Sequence, residues 1–230
     1  MPSQSQNRDF EPYESKVQFD DGGFIDKLIE RIDEKFEQLN GGNQRDGSYS
    51  PSYLGRTNSI KLYSFLRERQ PELVIETGVC NGLSTATILK AMDDNGKGQL
   101  YSIDLPRTTE GQSSSAVIPA NESPGWAVPD YLKGRWEFRK GNTIYRTPEI
   151  LEELHEKGRQ IDIFIHDSEH SFEAMMIEFS LAWKHLRTGG LLLADNVDFS
   201  PAFDVFAETK GLQKYSLAKM GLLEKTDSLA

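Results

Sequence analysis

Leu73-Val74-Ile75-Glu76-Thr77-Gly78-Val79-Cys80-Asn81-Gly82-Leu83-Ser84 is the stretch on which the fold turns. A short apolar run ends in an acidic residue and glycines, and from Ser84 to Met92 the apolar residues recur at helical spacing. The unit is therefore strand, tight turn, helix. Outward from it the alternation continues. A helix carrying Ile60, Leu62, Tyr63 and Leu66 precedes it and breaks at Pro71. Strands follow at Gln99 to Ile103, ending at Asp104, and at Trp136 to Arg139. A helix is expected to start at Thr147-Pro148, with Thr as cap, and to stop at Gly158. Then come a strand at Ile161 to Ile165, an amphipathic helix at Ser171 to Leu186 capped by Gly189-Gly190, and a buried strand at Leu191 to Ala194. One more helix near Asp204 to Thr209 and short strands around Tyr215 and Leu222 complete the chain.

Upstream, Phe24, Ile25, Leu28, Ile29, Ile32, Phe36 and Leu39 form a helical stripe that stops at Gly41-Gly42, before a polar turn at Asn43 to Ser52. The fold class is α/β: a Rossmann-like, doubly wound, seven-stranded and mainly parallel sheet with a C-terminal antiparallel hairpin. Residues 1–22 read as a flexible N-terminal arm and 23–230 as a single domain. The Ser-, Pro- and Gly-rich stretch at 106–134 is too long for an ordinary connection and reads as a lid-like insertion.

Composition narrows the function. The 230 residues hold 36 acidic against 26 basic side chains, a net charge of -10, and such a field repels phosphate backbones and anionic lipid. No nucleic-acid partner is expected; Lys133, Arg135, Arg139 and Lys140 are the one basic cluster that could oppose this. Cys80 is the only cysteine, which excludes an internal disulfide and a thiolate metal cluster and fits a cytoplasmic protein. No apolar run is long enough to span a bilayer, so no membrane partner is expected, while a homodimer is left open.

A parallel sheet binds its ligand beyond the carboxyl ends of its strands. Glu76, Asp104, Asp167 and Asp195 fall on those ends. Against a dinucleotide fingerprint begun at Gly78 only the first glycine matches, because Cys80 and Leu83 occupy the later positions. Against an acid followed by alternate glycines, Glu76, Gly78 and Gly82 match and Cys80 departs. On these residues the chain resembles the class I S-adenosylmethionine-dependent methyltransferases. The resemblance implies that the Gly78 and Gly82 turn, with Glu76, holds the methionine part of S-adenosylmethionine. It also implies that Asp104 holds the ribose diol and that Asn142 contacts the adenine amine.

A second constellation, Ile165-His166-Asp167-Ser168-Glu169-His170 followed by Asp195-Asn196 after the next strand, resembles the metal-dependent O-methyltransferases of the catechol and macrolide-sugar type. It implies a divalent cation, Mg²⁺ by donor hardness, on Asp167, Asp195 and Asn196. His170 is then the candidate base, and Asp167 a catalytic residue through the metal. The acceptor would be a hydroxyl of a small molecule or sugar. The rival readings are an NAD-dependent oxidoreductase and a non-catalytic S-adenosylmethionine-binding protein.

Overall fold

The computed structural model describes residues 10–39, 54–106 and 118–226. The expected stop at Gly41-Gly42, the polar turn at 43–52, positions 1–9 of the expected arm and positions 107–117 of the expected lid lie outside them. Strands β1 (Glu11–Pro12), β2 (Leu73–Thr77), β3 (Gln99–Asp104), β4 (Trp136–Lys140), β5 (Ile161–His166), β6 (Leu186–Ala194), β7 (Tyr215–Leu217) and β8 (Met220–Glu224) form one sheet. Their order is β1-β7-β8-β6-β5-β2-β3-β4. The run from β4 to β6 is parallel, and β8 lies antiparallel to both β6 and β7. The sheet thus carries the seven expected strands plus β1, a two-residue edge strand parallel to β7 that comes from the expected arm.

Helices α1 (Phe24–Leu39), α2 (Arg56–Arg69), α3 (Leu83–Asp94), α4 (Thr143–Glu156), α5 (Phe172–His185) and α6 (Ala202–Lys210) cover the two faces. Alternation along the strands sorts the core. Val74, Leu100, Ile163, Ile165, Leu191 and Leu193 pack with α1, α2 and α3. Leu73, Ile75, Tyr101, Ile103, Phe164 and Leu192 pack with α4, α5 and α6.

Two boundaries differ from the sequence reading. Helix α4 begins at Thr143, because the Asn142 side chain accepts the Ile144 amide at 2.9 Å and caps it there. Thr147-Pro148 lies inside the helix, where the proline forgoes one amide bond. Helix α5 ends at His185 because Leu186 is already extended, and Gly189-Gly190 belongs to β6. At Gly190 a Cβ would stand 2.8 Å from the Arg187 carbonyl oxygen, so this glycine serves close backbone approach within the strand.

The turn after β2 is set by register. Glu76 pairs with Ser102 and Thr77 with Ile103, which brings the end of β3 beside the turn. The Gly78 amide donates to the Ile103 carbonyl at 2.8 Å, and the Val79 and Cys80 amides donate to Asp104 Oδ2 at 3.0 and 2.7 Å. Three residues of the turn are left-handed: Gly78 (φ 87°), Cys80 (φ 48°) and Gly82 (φ 97°). Beneath it, Glu76 is fully buried and accepts from the hydroxyls of Ser84 (2.7 Å), Thr85 (2.7 Å) and Ser102 (2.8 Å), which joins β2, β3 and α3.

Two outcomes follow from this packing. Phe179 is fully buried, with ring centroids 5.4 Å from His166 and 5.5 Å from Phe206. Phe179→Ala is expected to cost about 3–5 kcal/mol in urea unfolding, and a loss below about 1 kcal/mol would refute this view of the core. For Glu76, burial pushes the carboxyl from its ordinary 4.5 up to about 7, against the pull of its three hydroxyl donors. Above pH 4.5 the unfolded chain releases this proton while the folded protein keeps it. The contribution to stability is therefore complete below 4.5 and is lost as pH rises to about 7. Glu76→Gln does not titrate, so across that window its stability should gain on the wild type in ligand-free unfolding. A gap that does not change with pH would contradict the assignment.

Candidate active site

At the carboxyl edge of the parallel strands lies a cavity of about 810 Å³. Gly78, Gly82, Asp104, Asn142, Asp167, His170, Asp195 and Asn196 all line it. Glu76 is the one expected site residue that is not on its wall, since it sits beneath the turn with both oxygens occupied. Gly78 faces the cavity, but its missing side chain is used by the protein itself: a Cβ there would stand 1.9 Å from the Asp167 carbonyl oxygen.

Asp104 does two things. Its Oδ2 holds the turn, and the carboxylate also borders the cavity. Burial raises its pKa, the amides of Cys80 and Val79 oppose this, and Asp167 adds to the rise. The Asn142 side-chain oxygen serves as the α4 cap while the residue faces the same cavity. Burial pushes the Cys80 thiol up to about 12, with Asp104 adding to it, so this cysteine is a small neutral wall residue and not a thiolate nucleophile.

The second constellation is assembled by the β5–β6 pairing. His166 stands opposite Ala194, and the Asp195 amide donates to the His166 carbonyl at 2.9 Å, so Asp167 and Asp195 leave neighbouring strands side by side. The Asp167 amide donates to the Thr77 carbonyl at 2.8 Å and ties this edge to the turn after β2. Burial first, then the Asp167 charge, pushes Asp195 up to about 6. Asn196 follows in a left-handed conformation (φ 48°).

His170 sits over Asp167, with Nε2 3.7 Å from Oδ1, an ion-pair distance too long for a hydrogen bond. That nitrogen is buried without a hydrogen-bond partner among the described residues. Burial pulls its pKa down, but the surrounding carboxylates of Asp167, Asp195 and Glu169 outweigh this and the net shift is upward. Phe199, 72% exposed, lies at the rim with its ring centroid 5.7 Å from that of His170. Among the described residues no three histidine, cysteine or acidic side chains form a metal-binding cluster. A cation here would rest on two carboxylates and an amide.

Sequence reasoning missed the support under this edge. Glu178, fully buried on α5, accepts from the hydroxyls of Thr77 (2.7 Å), Ser168 (2.8 Å) and Thr143 and stands 2.8 Å from His166 Nδ1. Burial would raise its pKa, but His166 and the hydroxyls outweigh it and the net shift is downward. One carboxylate thus joins the ends of β2 and β5 to the start of α4. The signal was present: Glu178 falls on the apolar stripe Met175, Phe179, Ala182, where an acid needs several donors to be tolerated.

A family model described as a methyltransferase domain matches residues 75–197. No curated protein sequence matches the chain. Among solved structures, the fold is similar to an O-methyltransferase from Bacillus cereus in complex with SAH. The identity is 15%, covering 87% of this chain and 90% of that one, with a TM-score of 0.54. It is also similar to the O-methyltransferase TomG from Streptomyces achromogenes in complex with SAM, at 17% identity, 87% and 90% coverage and a TM-score of 0.57. At such identities the likeness is one of fold. The family match carries further, because it runs through more than half of the chain, from the middle of β2 to the residue after Asn196, and so takes in both halves of the cavity. It decides against the oxidoreductase reading that the glycine spacing already disfavoured: the chain belongs to the methyltransferase-domain family and is a class I S-adenosylmethionine-dependent methyltransferase.

Proposed function

We propose that this enzyme transfers the methyl group of S-adenosylmethionine to a hydroxyl oxygen of a small molecule or sugar, with a divalent cation of the Mg²⁺ kind held by Asp167, Asp195 and Asn196. The observation that carries the reading is the pair of neighbouring carboxylates. Asp195 is pushed up to about 6 by burial and by Asp167, a rise that the Asn196 amide, His170 and Lys219 offset only in part, and among the described residues no lysine or arginine lines the cavity. Two carboxylates and an amide are hard oxygen donors and fit such an ion. When bound, the ion would make an acceptor hydroxyl more acidic.

The chain's own residues supply the rest. The turn from Gly78 to Gly82 receives the cofactor's methionine end, and Asp104, which accepts from the amides of Val79, Cys80 and Leu105, borders the cavity with lone pairs left for the ribose diol. Asn142 lines the same cavity and contacts the adenine amine in this reading. His170, whose buried Nε2 has no hydrogen-bond partner among the described residues, takes the acceptor's proton, and Phe199 offers the acceptor a flat apolar rim. Pro106 and Ile118, the described residues on either side of positions 107–117, line the cavity.

The charge of the site narrows the acceptor. Asp104, Asp167, Glu169 and Asp195 line the cavity, so a neutral or cationic acceptor is favoured over a phosphorylated one. Three of the four residues of the basic cluster are paired with acids, which lowers the positive charge it could offer a phosphate backbone. Lys133 pairs with Asp130 at 2.7 Å, Arg135 with Asp93 at 3.8 Å, and Arg139 with Glu137 and Glu153.

Excess EDTA should abolish methyl transfer to the acceptor and leave calorimetric SAH binding unchanged, with Mg²⁺ restoring activity. Asp195→Ala should mimic EDTA and remove Mg²⁺ binding in the presence of SAH. Full activity in EDTA would refute the metal and leave the methyltransferase standing. His170→Ala should retain Mg²⁺ binding and slow turnover by about 10²-fold or more. Unchanged turnover would remove His170 as the base.

A further inference from the structure

The turn from Gly78 to Gly82 is held on its inner side by Asp104, and three of its five residues are left-handed: Gly78 and Gly82 take that conformation freely, whereas Cys80 needs support from its surroundings. The outer side is held by residues 125–127. The Gly125 amide donates to the Cys80 carbonyl at 2.9 Å and the Ala127 amide to the Asn81 carbonyl at 3.2 Å. Between them the Trp126 indole Nε1 donates to Asn81 Oδ1 at 2.7 Å, and Asn81 is buried. The fit is close, since a Cβ on Gly82 would stand 2.8 Å from the Gly125 Cα.

The stretch 118–129 has no helix or strand of its own, so its place depends on anchors. Gly125 lies against the Trp136 ring, where a Cβ would come within 2.3 Å of Cη2. The Trp126 ring has the Arg31 guanidinium at 5.9 Å and the Lys35 ammonium at 5.8 Å, both from α1. Lys35 also bonds Glu122 at 2.7 Å. Helix α1 is fixed in turn by its buried Ile25, Leu28, Ile32 and Phe36.

We propose that Trp126 is a positioning residue for the cofactor: it locks the outer half of the glycine turn through Asn81 and makes cofactor affinity depend on the docking of α1 through Arg31 and Lys35. A turn held in its bound shape loses less freedom when the ligand arrives. By linkage, a cofactor that rests on the turn must hold residues 125–127 in return.

The test is calorimetric titration of the full chain with SAH. Trp126→Phe keeps the ring and removes the donor, so SAH should bind roughly three- to tenfold more weakly. Trp183→Phe, on α5 against Phe206 and on the other face of the sheet, should stay within about twofold of the wild type. Hydrogen exchange gives a readout that a purely structural role would not move. SAH should slow exchange of the Gly125 and Ala127 amides in the wild type and do so less in Trp126→Phe. Wild-type affinity in Trp126→Phe, or no effect of SAH on those two amides, overturns the proposal. Should Trp126→Phe not fold, Lys35→Met carries the same test, with an expected weakening of about two- to threefold. An unchanged affinity there overturns the link to α1. A wild-type chain that binds no SAH overturns the cofactor assignment and this inference together.

Discussion

One oxygen of Asp104, receiving the amides of Val79 and Cys80, is the contact from which the site is built. It exists only because β2 and β3 pair in a register that sets Thr77 opposite Ile103 and leaves Asp104 level with the turn. Given that contact, the turn can hold its left-handed residues. Without it, two part-buried amides would lose their acceptor. The parallel pairing of β5 and β6 then brings Asp167 and Asp195 to the same edge.

The acids of this edge fall into two kinds. Glu76 and Glu178 are fully buried and surrounded by hydroxyl or imidazole donors, so each serves as a rivet between elements. Asp167 and Asp195 face a cavity and each other, and their charge has no comparable set of donors. Satisfied acids hold the frame, and those left in mutual repulsion are available for chemistry.

Much of this was legible in the chain itself. The switch from apolar run to glycines to helical period marks β2 and α3, and three of the four acids at strand ends, Asp104, Asp167 and Asp195, line the cavity. What was not legible depended on competition between equivalent local signals. Asn142 and Thr147 are both good helix caps, and only the end of β4 decides that Asn142 is used. Gly189-Gly190 looks like a helix stop, yet the chain has already extended at Leu186. Glu76 reads as a ligand contact from its motif, whereas its place beneath the turn follows from the hydroxyls of Ser84, Thr85 and Ser102, which come from two other elements. Glu178 carries no motif at all. Its role rests on four partners drawn from three separate stretches of chain.

The approach of the Asp167 carbonyl to Gly78 bears on how such a site can be redesigned. The turn after β2 and the loop that begins at Asp167 leave no room for a single side-chain atom between Gly78 and the Asp167 carbonyl, so neither is a module. A graft that replaces the loop at 167–170 and shifts its backbone would press on the turn at Gly78. Diversity is better introduced at the rim, around Phe199, where the side chain stands clear of that contact.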